Sequence, residues 1–271
     1  MNALTYASYI AKKLKAEITI LHVLESYEHN TAIGKKTLND IIKRGVKTKL
    51  DDIVKNDNNL TGVKTKVMHK TGKIYKEIDD VAVHGIFGLI VMGTHGASGI
   101  KNLKRVMLGT NAYRVIHSSP CPVITIRKGK KYPKFENIVL PVDITKETRY
   151  KIRFAIEWAR IFGSTINVVS VSRFIEEFFV DLGKLRFQLK DVENKIKAAD
   201  IPCTTKMIRH NDIADSILKY SKKLNADLTI IMTRQERKWD DFIVGSSAKH
   251  VIDNSQTPVL SVRPWRKRKK K

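Results

Sequence analysis

Glycines gather in Val91-Met92-Gly93-Thr94-His95-Gly96-Ala97-Ser98-Gly99, and Gly109-Thr110-Asn111 closes the same stretch. The apolar run Phe87-Gly88-Leu89-Ile90-Val91-Met92 leads into it and reads as a buried strand. Behind it, Ala112-Tyr113-Arg114-Val115-Ile116 has helical spacing, with Gly109 and Thr110 at the helix start. A strand therefore ends in a glycine-rich loop, and the loop ends at a helix N-terminus. Glycines let backbone N–H groups approach an anion closely. The helix start adds unpaired donors and the positive end of a dipole. The chemistry on offer is the binding of a polyphosphate. His95 stands within this loop either as a phosphate contact or as a plain exposed side chain. Lys101, Lys104 and Arg105 either close over the phosphates or form a solvated lid.

The spacing is not that of the common nucleotide fingerprints. No GxxxxGK followed by Ser or Thr occurs, and Gly93, Gly96 and Gly99 fall as GxxGxxG instead of GxGxxG. Gly96, Gly99, Gly109 and Thr110 do fit G, two residues, G, nine residues, then G followed by Ser or Thr. That pattern resembles the ATP-binding members of the universal stress protein family. Pro120-Cys121-Pro122-Val123-Ile124-Thr125-Ile126 likewise resembles the family's last strand. The competing reading is a long connection whose glycines only turn corners.

Composition bounds the answer. At 271 residues the chain suits two domains, and 42% apolar residues fill two modest cores. No apolar run approaches the ~20 residues that span a bilayer. Met1-Asn2-Ala3-Leu4-Thr5-Tyr6 lacks the basic-then-apolar order of a signal peptide. Cys121 and Cys203 have no metal or redox spacing and read as reduced thiols of a cytoplasmic protein. The net charge of +24 favours polyanionic partners. Residues 264–271 end in an unbroken basic run from Arg266, read as a solubilising tail or as an anchor on nucleic acid or an anionic membrane.

The chain states one unit twice. A helix over Asn2 to Lys15 and a strand over Glu17 to Leu24 match a helix over Ile152 to Phe162 and a strand over Thr165 to Val171. Longer polar helical regions follow, about 31–56 and 174–200. Strands at Val63 to Met68 and Cys203 to Ile208 come next, then helices at Ile74 to Val83 and Ile213 to Leu224, then buried strands at Leu89 to Met92 and Leu228 to Met232. Gly109-Thr110-Asn111-Ala112 matches Gly245-Ser246-Ser247-Ala248, and Pro122-Val123-Ile124 matches Pro258-Val259-Leu260, both at an offset of 136 residues. The expected units are 1–128 and 136–263, joined by a linker over Lys128 to Pro133. Strands alternating with helices predict an α/β fold with parallel sheets, ligands lying at the carboxyl ends of the strands. The resemblance implies two tandem adenine-nucleotide alpha-hydrolase-like (Rossmann-like) domains of five strands each. It also implies an intramolecular pseudo-dimer paired through the last strands, Val123 to Ile126 and Val259 to Val262, with a further homodimer left open. Such pairing covers two sheet edges.

Each repeat is expected to carry a defective half-site. The second opens with Asn137-Ile138-Val139-Leu140-Pro141-Val142-Asp143, which resembles the family's first strand. Asp143 then matches the position near adenine and ribose; its alternative role is to cap a helix starting near Thr145. The glycine loop of that repeat is degraded. Glu236 stands in place of Gly96, the loop is four residues shorter, and only Gly245, Ser246 and Ser247 remain, so weak or no ATP binding is expected there. The first repeat has the loop but lacks the counterpart of residues 136–148, which comprise the first strand and its Asp. Met1 is accordingly expected to be an internal methionine of a longer chain; the alternative is degeneration, with another segment or another chain in the slot.

The resemblance implies ATP as ligand, Mg²⁺ being left open. It places Gly96, Gly99, Gly109, Thr110 and Asn111 on the phosphates, Gly93 and Thr94 beneath the sugar, and Val23 on the adenine. Nothing supplies a strong catalytic set: no GxSxG, no HExxH and no Cys–His pair that spacing supports. The expected function is an adenine-nucleotide-binding regulatory protein of the stress response, with weak ATP hydrolysis at most. The alternatives are a slow ATP-hydrolysing enzyme and an interaction module docking on nucleic acid or membrane through its basic surface.

Overall fold

The computed structural model describes residues 2–25, 35–85, 87–94, 109–127, 132–143, 148–173, 182–233 and 246–263. The first half runs α1 (Asn2–Leu14), β1 (Ile18–Leu24), α2 (Lys35–Asn56), a 3-10 turn (Asn58–Leu60), β2 (Thr65–Thr71), α3 (Ile74–His84), β3 (Ile90–Gly93), α4 (Thr110–Ser118) and β4 (Val123–Ile126). The second runs β5 (Asn137–Val142), α5 (Thr148–Phe162), β6 (Thr165–Ser172), α6 (Leu182–Lys197), β7 (Cys203–Arg209), α7 (Ile213–Lys223), β8 (Leu228–Met232), α8 (Ser246–Asn254) and β9 (Val259–Val262). Apart from β5 and the 3-10 turn, the two lists correspond element by element. No helix of the described residues is long and apolar enough to cross a membrane.

Seven strands form one sheet in the order β3-β4-β9-β8-β5-β6-β7, and β1 and β2 form a separate parallel pair. Within the second repeat every contact is parallel, with β5 between β6 and β8. The last strands of the two repeats pair antiparallel, Val123 opposite Ser261 and Thr125 opposite Val259. Runs such as Ile138-Val139-Leu140 and Leu228-Thr229-Ile230 are buried on both faces, as expected where helices cover both sides of a parallel sheet.

In the first repeat the sheet is interrupted where β5 lies in the second. The core divides along the same line. Ala11, Ile18 and Leu60 form a small cluster of their own, whereas Ile124 and Ile126 join the large core of the second repeat. The expectation of a buried strand over residues 87–92 needs correction. Only Ile90–Gly93 is strand, and all four of its residues are half-buried, while β8 is buried at four of its five positions. An apolar run is buried only if something packs beside it, and no described strand lies between β1 and β3.

The repeats also meet through one aromatic cluster. Phe135 follows the linker and is 1% exposed. Its ring sits 5.9 Å from those of Tyr6 and Tyr9 on α1, and 5.4 Å and 4.9 Å from Trp158 and Phe162 on α5. On the far side, Arg263 at the end of β9 donates to the carbonyl of Ser119, just before β4.

Helices α1 and α5 end alike but on different residues. Ala16 N–H donates to the Ala11 carbonyl (2.9 Å), and Ser164 N–H to that of Ala159 (3.0 Å), the six-to-one bond of a Schellman motif. That motif needs a left-handed residue at the turn, supplied by Lys15 (φ 52°) in one repeat and Gly163 (φ 67°) in the other. A side chain in that region costs about 1 kcal/mol. Lys15→Gly is therefore expected to stabilise the protein by roughly 0.5–1 kcal/mol, read as a rise in the urea midpoint.

The thiols are quiet. Burial pushes Cys203 up to about 11 and raises Cys121 as well. Thiolate is the reactive form, so both should react with an aromatic disulfide reagent at pH 8 far more slowly than in the urea-unfolded chain. Prompt release of two equivalents from the folded protein would contradict this.

Candidate functional site

The bend between β3 and α4 is built by long-range backbone bonds. Thr94 N–H donates to the Ile126 carbonyl at 3.1 Å, so the β3–β4 ladder extends one residue beyond Gly93. The Thr94 carbonyl then accepts from Gly109 N–H at 2.9 Å, which ties the strand's carboxyl end to the residue before α4. Thr94 is 6% exposed, and Gly93 and Gly109 are half-buried.

Gly109 is the N-cap of α4, with φ −60° and ψ 143°, and no side chain caps the helix. Its own carbonyl already accepts from Tyr113 N–H at 3.0 Å. The Gly109 amide faces the protein's own Thr94 carbonyl, so this one of the expected phosphate donors is already engaged within the protein. The first-turn amides of Thr110, Asn111 and Ala112 precede the first intrahelical bond and emerge at the helix start. Thr110 is exposed and Asn111 half-buried. The bend therefore gathers donors and a positive dipole end, with no carboxylate among its described residues.

The second repeat builds the same bend. Thr233, 2% exposed, donates its N–H to the Val262 carbonyl at 3.0 Å, as Thr94 does to Ile126. Helix α8 begins at Ser246, which is exposed, and Ser247 is half-buried. Asp143 is exposed at the carboxyl end of β5. Residues 144–147, between Asp143 and α5, lie outside the described residues.

The fold separates the two half-sites. Strand β3 is parallel to β4, β4 is antiparallel to β9, and β9 runs with β8 and β5. The carboxyl ends of β3 and β5 consequently point to opposite edges of one sheet. Asp143 cannot supply a carboxylate to the bend at Gly109, and the half-sites do not complete each other. Val23 lies half-buried near the end of β1, on the strand pair detached from β3. His95, Gly96, Gly99, Lys101, Lys104, Arg105, Glu236, Gly245 and the basic run of 264–271 lie outside the described residues. Sequence reasoning missed the Thr94–Gly109 bond, since nothing local signals a contact across fourteen intervening positions.

Comparison with known proteins bears on both halves. The model of the universal stress protein family matches residues 1–127 and 134–263. A curated universal stress protein of Synechocystis sp. is 22% identical over 282 residues, covering 95% of this chain and 93% of that relative. Another, of Methanocaldococcus jannaschii, is 31% identical over 134 residues, 48% of this chain and 76% of the relative. The crystal structure of a universal stress protein from Archaeoglobus fulgidus shares the fold at a TM-score of 0.74 and 21% identity, covering 96% of this chain and 90% of that one. With an α/β unit of the same element order in each half and a family match to each half, the chain belongs to the universal stress protein family as a tandem, two-repeat member.

Proposed function

We propose that this protein binds ATP at the β3–α4 bend of its first repeat and acts as a regulatory nucleotide-binding module of the stress response. The observation that carries the reading is that bend itself. A strand end and a helix start are tied together at Thr94 and Gly109, and the first-turn amides of Thr110 and Asn111 precede the first intrahelical bond. The spacing of Gly96, Gly99, Gly109 and Thr110 adds the family's ATP pattern. Gly93 and Thr94 support the sugar, Val23 lines the adenine side, and Mg²⁺ accompanies the phosphates. The second repeat offers Asp143, Gly245, Ser246 and Ser247 but carries Glu236 where the loop has its first motif glycine, and like charge there opposes a phosphate. Two cysteines, neither in a disulfide, agree with a cytoplasmic setting.

Two measurements test this. Mass spectrometry of the small molecules that co-purify with the full chain is expected to detect adenine nucleotide. Calorimetric titration of the stripped protein with Mg·ATP is expected to give one equivalent per chain. Two equivalents would show the second repeat to be competent, and no heat with no co-purifying nucleotide would overturn the assignment.

A further inference from the structure

We propose that the end of the first repeat formed by residues 12–17 and 61–66 is an electrostatic docking surface for an anionic lipid bilayer, with Leu14 as its apolar centre. It is a different stretch of chain from the basic run of 264–271 and from the nucleotide bend.

The two segments meet where the β1–β2 ladder begins. Ile18 stands opposite Thr65, and Ile18 N–H donates to the Lys64 carbonyl at 2.9 Å. Residues 12–17 are all exposed, as are Lys64 and Lys66. Lys12, Lys13, Lys15, Lys64 and Lys66 therefore gather around a single carboxylate, that of Glu17. Lys64 donates to Glu17, and Lys66 Nζ lies 2.7 Å from Glu17 Oε2. Hydrogen bonds from those two lysines hold the Glu17 carboxyl down to about 2. One carboxylate leaves most of this charge uncompensated. Asp57, the carboxylate that precedes the second segment in the chain, is held by its own turn, where Oδ1 accepts from Asn59 N–H at 2.9 Å.

In the second repeat the matching end is nearly neutral. The helix-end bonds align Ala16 with Ser164, and the ladders align Thr65 with Cys203. Lys13, Lys15, Lys64 and Lys66 thus correspond to Ile161, Gly163, Pro202 and Thr204, and only Lys12 has a cationic counterpart, Arg160. The fold itself does not require the charge. Lys15 carries the clearest sign. Its backbone is left-handed at φ 52°, where the second repeat places Gly163 at φ 67°. A side chain kept in a conformation that glycine adopts freely points to a role beyond folding. Composition selects the partner. Neither segment holds an arginine fork or an aromatic ring that would stack on bases. Leu14 is instead 42% exposed, with Lys13 and Lys15 on either side of it in the chain. That pairing suits the headgroup boundary of a bilayer, where lysines meet lipid phosphates and a leucine enters the acyl region.

The probe is a vesicle of mixed phosphatidylcholine and phosphatidylglycerol, sedimented with the full chain without nucleotide. Pure phosphatidylcholine vesicles are the uncharged comparison. Binding is expected to the anionic vesicles only, and to weaken as salt is raised. Lys13→Gln with Lys15→Gln is expected to weaken it about tenfold or more, and Leu14→Ser about threefold or more. Lys15→Gly should weaken binding while raising the urea midpoint, so unfolding cannot be the cause. Lys222→Gln with Lys223→Gln removes the same charge from exposed positions around the end of α7 and should leave binding largely unchanged. No binding to anionic vesicles by a folded chain overturns the proposal, as do equal losses in the two double variants. Binding that disappears on deletion of 264–271 and ignores the Lys13, Leu14 and Lys15 changes assigns it to the tail and also overturns the proposal. The same holds if those changes abolish binding to duplex DNA and leave vesicle binding intact. None of these readouts requires ATP, so failure here and failure of the nucleotide site are separate results.

Discussion

Gly109→Asp is expected to abolish ATP binding while leaving the folded protein as stable as before, or slightly more so. Gly109 is the N-cap of α4 at φ −60° and ψ 143°, a conformation open to any L residue. Aspartate is among the best N-cap residues, and its carboxylate accepts from the second or third amide of the helix. Replacing glycine there gains a few tenths of a kcal/mol in the free protein. The same carboxylate occupies the donors offered to the phosphates and adds a negative charge beside them. Like charges about 4 Å apart repel by roughly 1–4 kcal/mol between water and a protein surface, and a triphosphate carries several. A loss of about 100-fold or more in affinity follows. Thermal melts with and without ATP measure both effects on one sample. The wild type should gain Tm with ATP, and the variant should show no gain from an equal or higher baseline. A variant that still responds to ATP would place the nucleotide elsewhere.

Phe135→Ala is the substitution expected to cost most stability. The ring is 1% exposed and touches aromatic side chains of both repeats, with centroid separations from 4.9 to 5.9 Å. Removing it deletes its transfer free energy and leaves a cavity between α1 and α5, a loss of roughly 3–5 kcal/mol. Edge-on aromatic pairs, such as those with Trp158 and Phe162, add to that figure. Because the cluster joins the repeats, urea unfolding of the variant should broaden or split where the wild type unfolds in one step. Tyr132, three residues earlier and 84% exposed, is the control; Tyr132→Ala should change the midpoint negligibly. Equal effects at the two positions would rule out the cluster as the link between repeats.

Much of this architecture was legible without coordinates. The matched strings at Gly109 and Gly245, and at Pro122 and Pro258, revealed the repeat, because equivalent positions in a duplicated unit meet equivalent steric demands. Leu228 to Met232 read as a buried strand and is one, since continuous apolar runs mark strands covered on both faces. Leu89 to Met92 carries the same signal and yet is half-buried, because burial depends on a neighbour and not on the strand's own residues. Phe135 stands between polar neighbours, Lys134 and Glu136, where nothing local marks it as the centre of a core.

The sequence by itself determined which residues form strands and helices, that the unit occurs twice, and that a glycine-lined loop precedes α4. Those properties are local: alternation, backbone freedom and side-chain size act within a few residues. Tertiary structure alone decided three further matters. It ties Gly109 to Thr94, which engages the amide just before the first turn of α4. It sets β4 antiparallel to β9, which sends the half-sites to opposite edges of the sheet. Among the described residues it places no strand between β1 and β3. Each follows from backbone hydrogen bonds between segments far apart in the chain. Such bonds use the same N–H and C=O groups at every residue, so side-chain identity does not announce them.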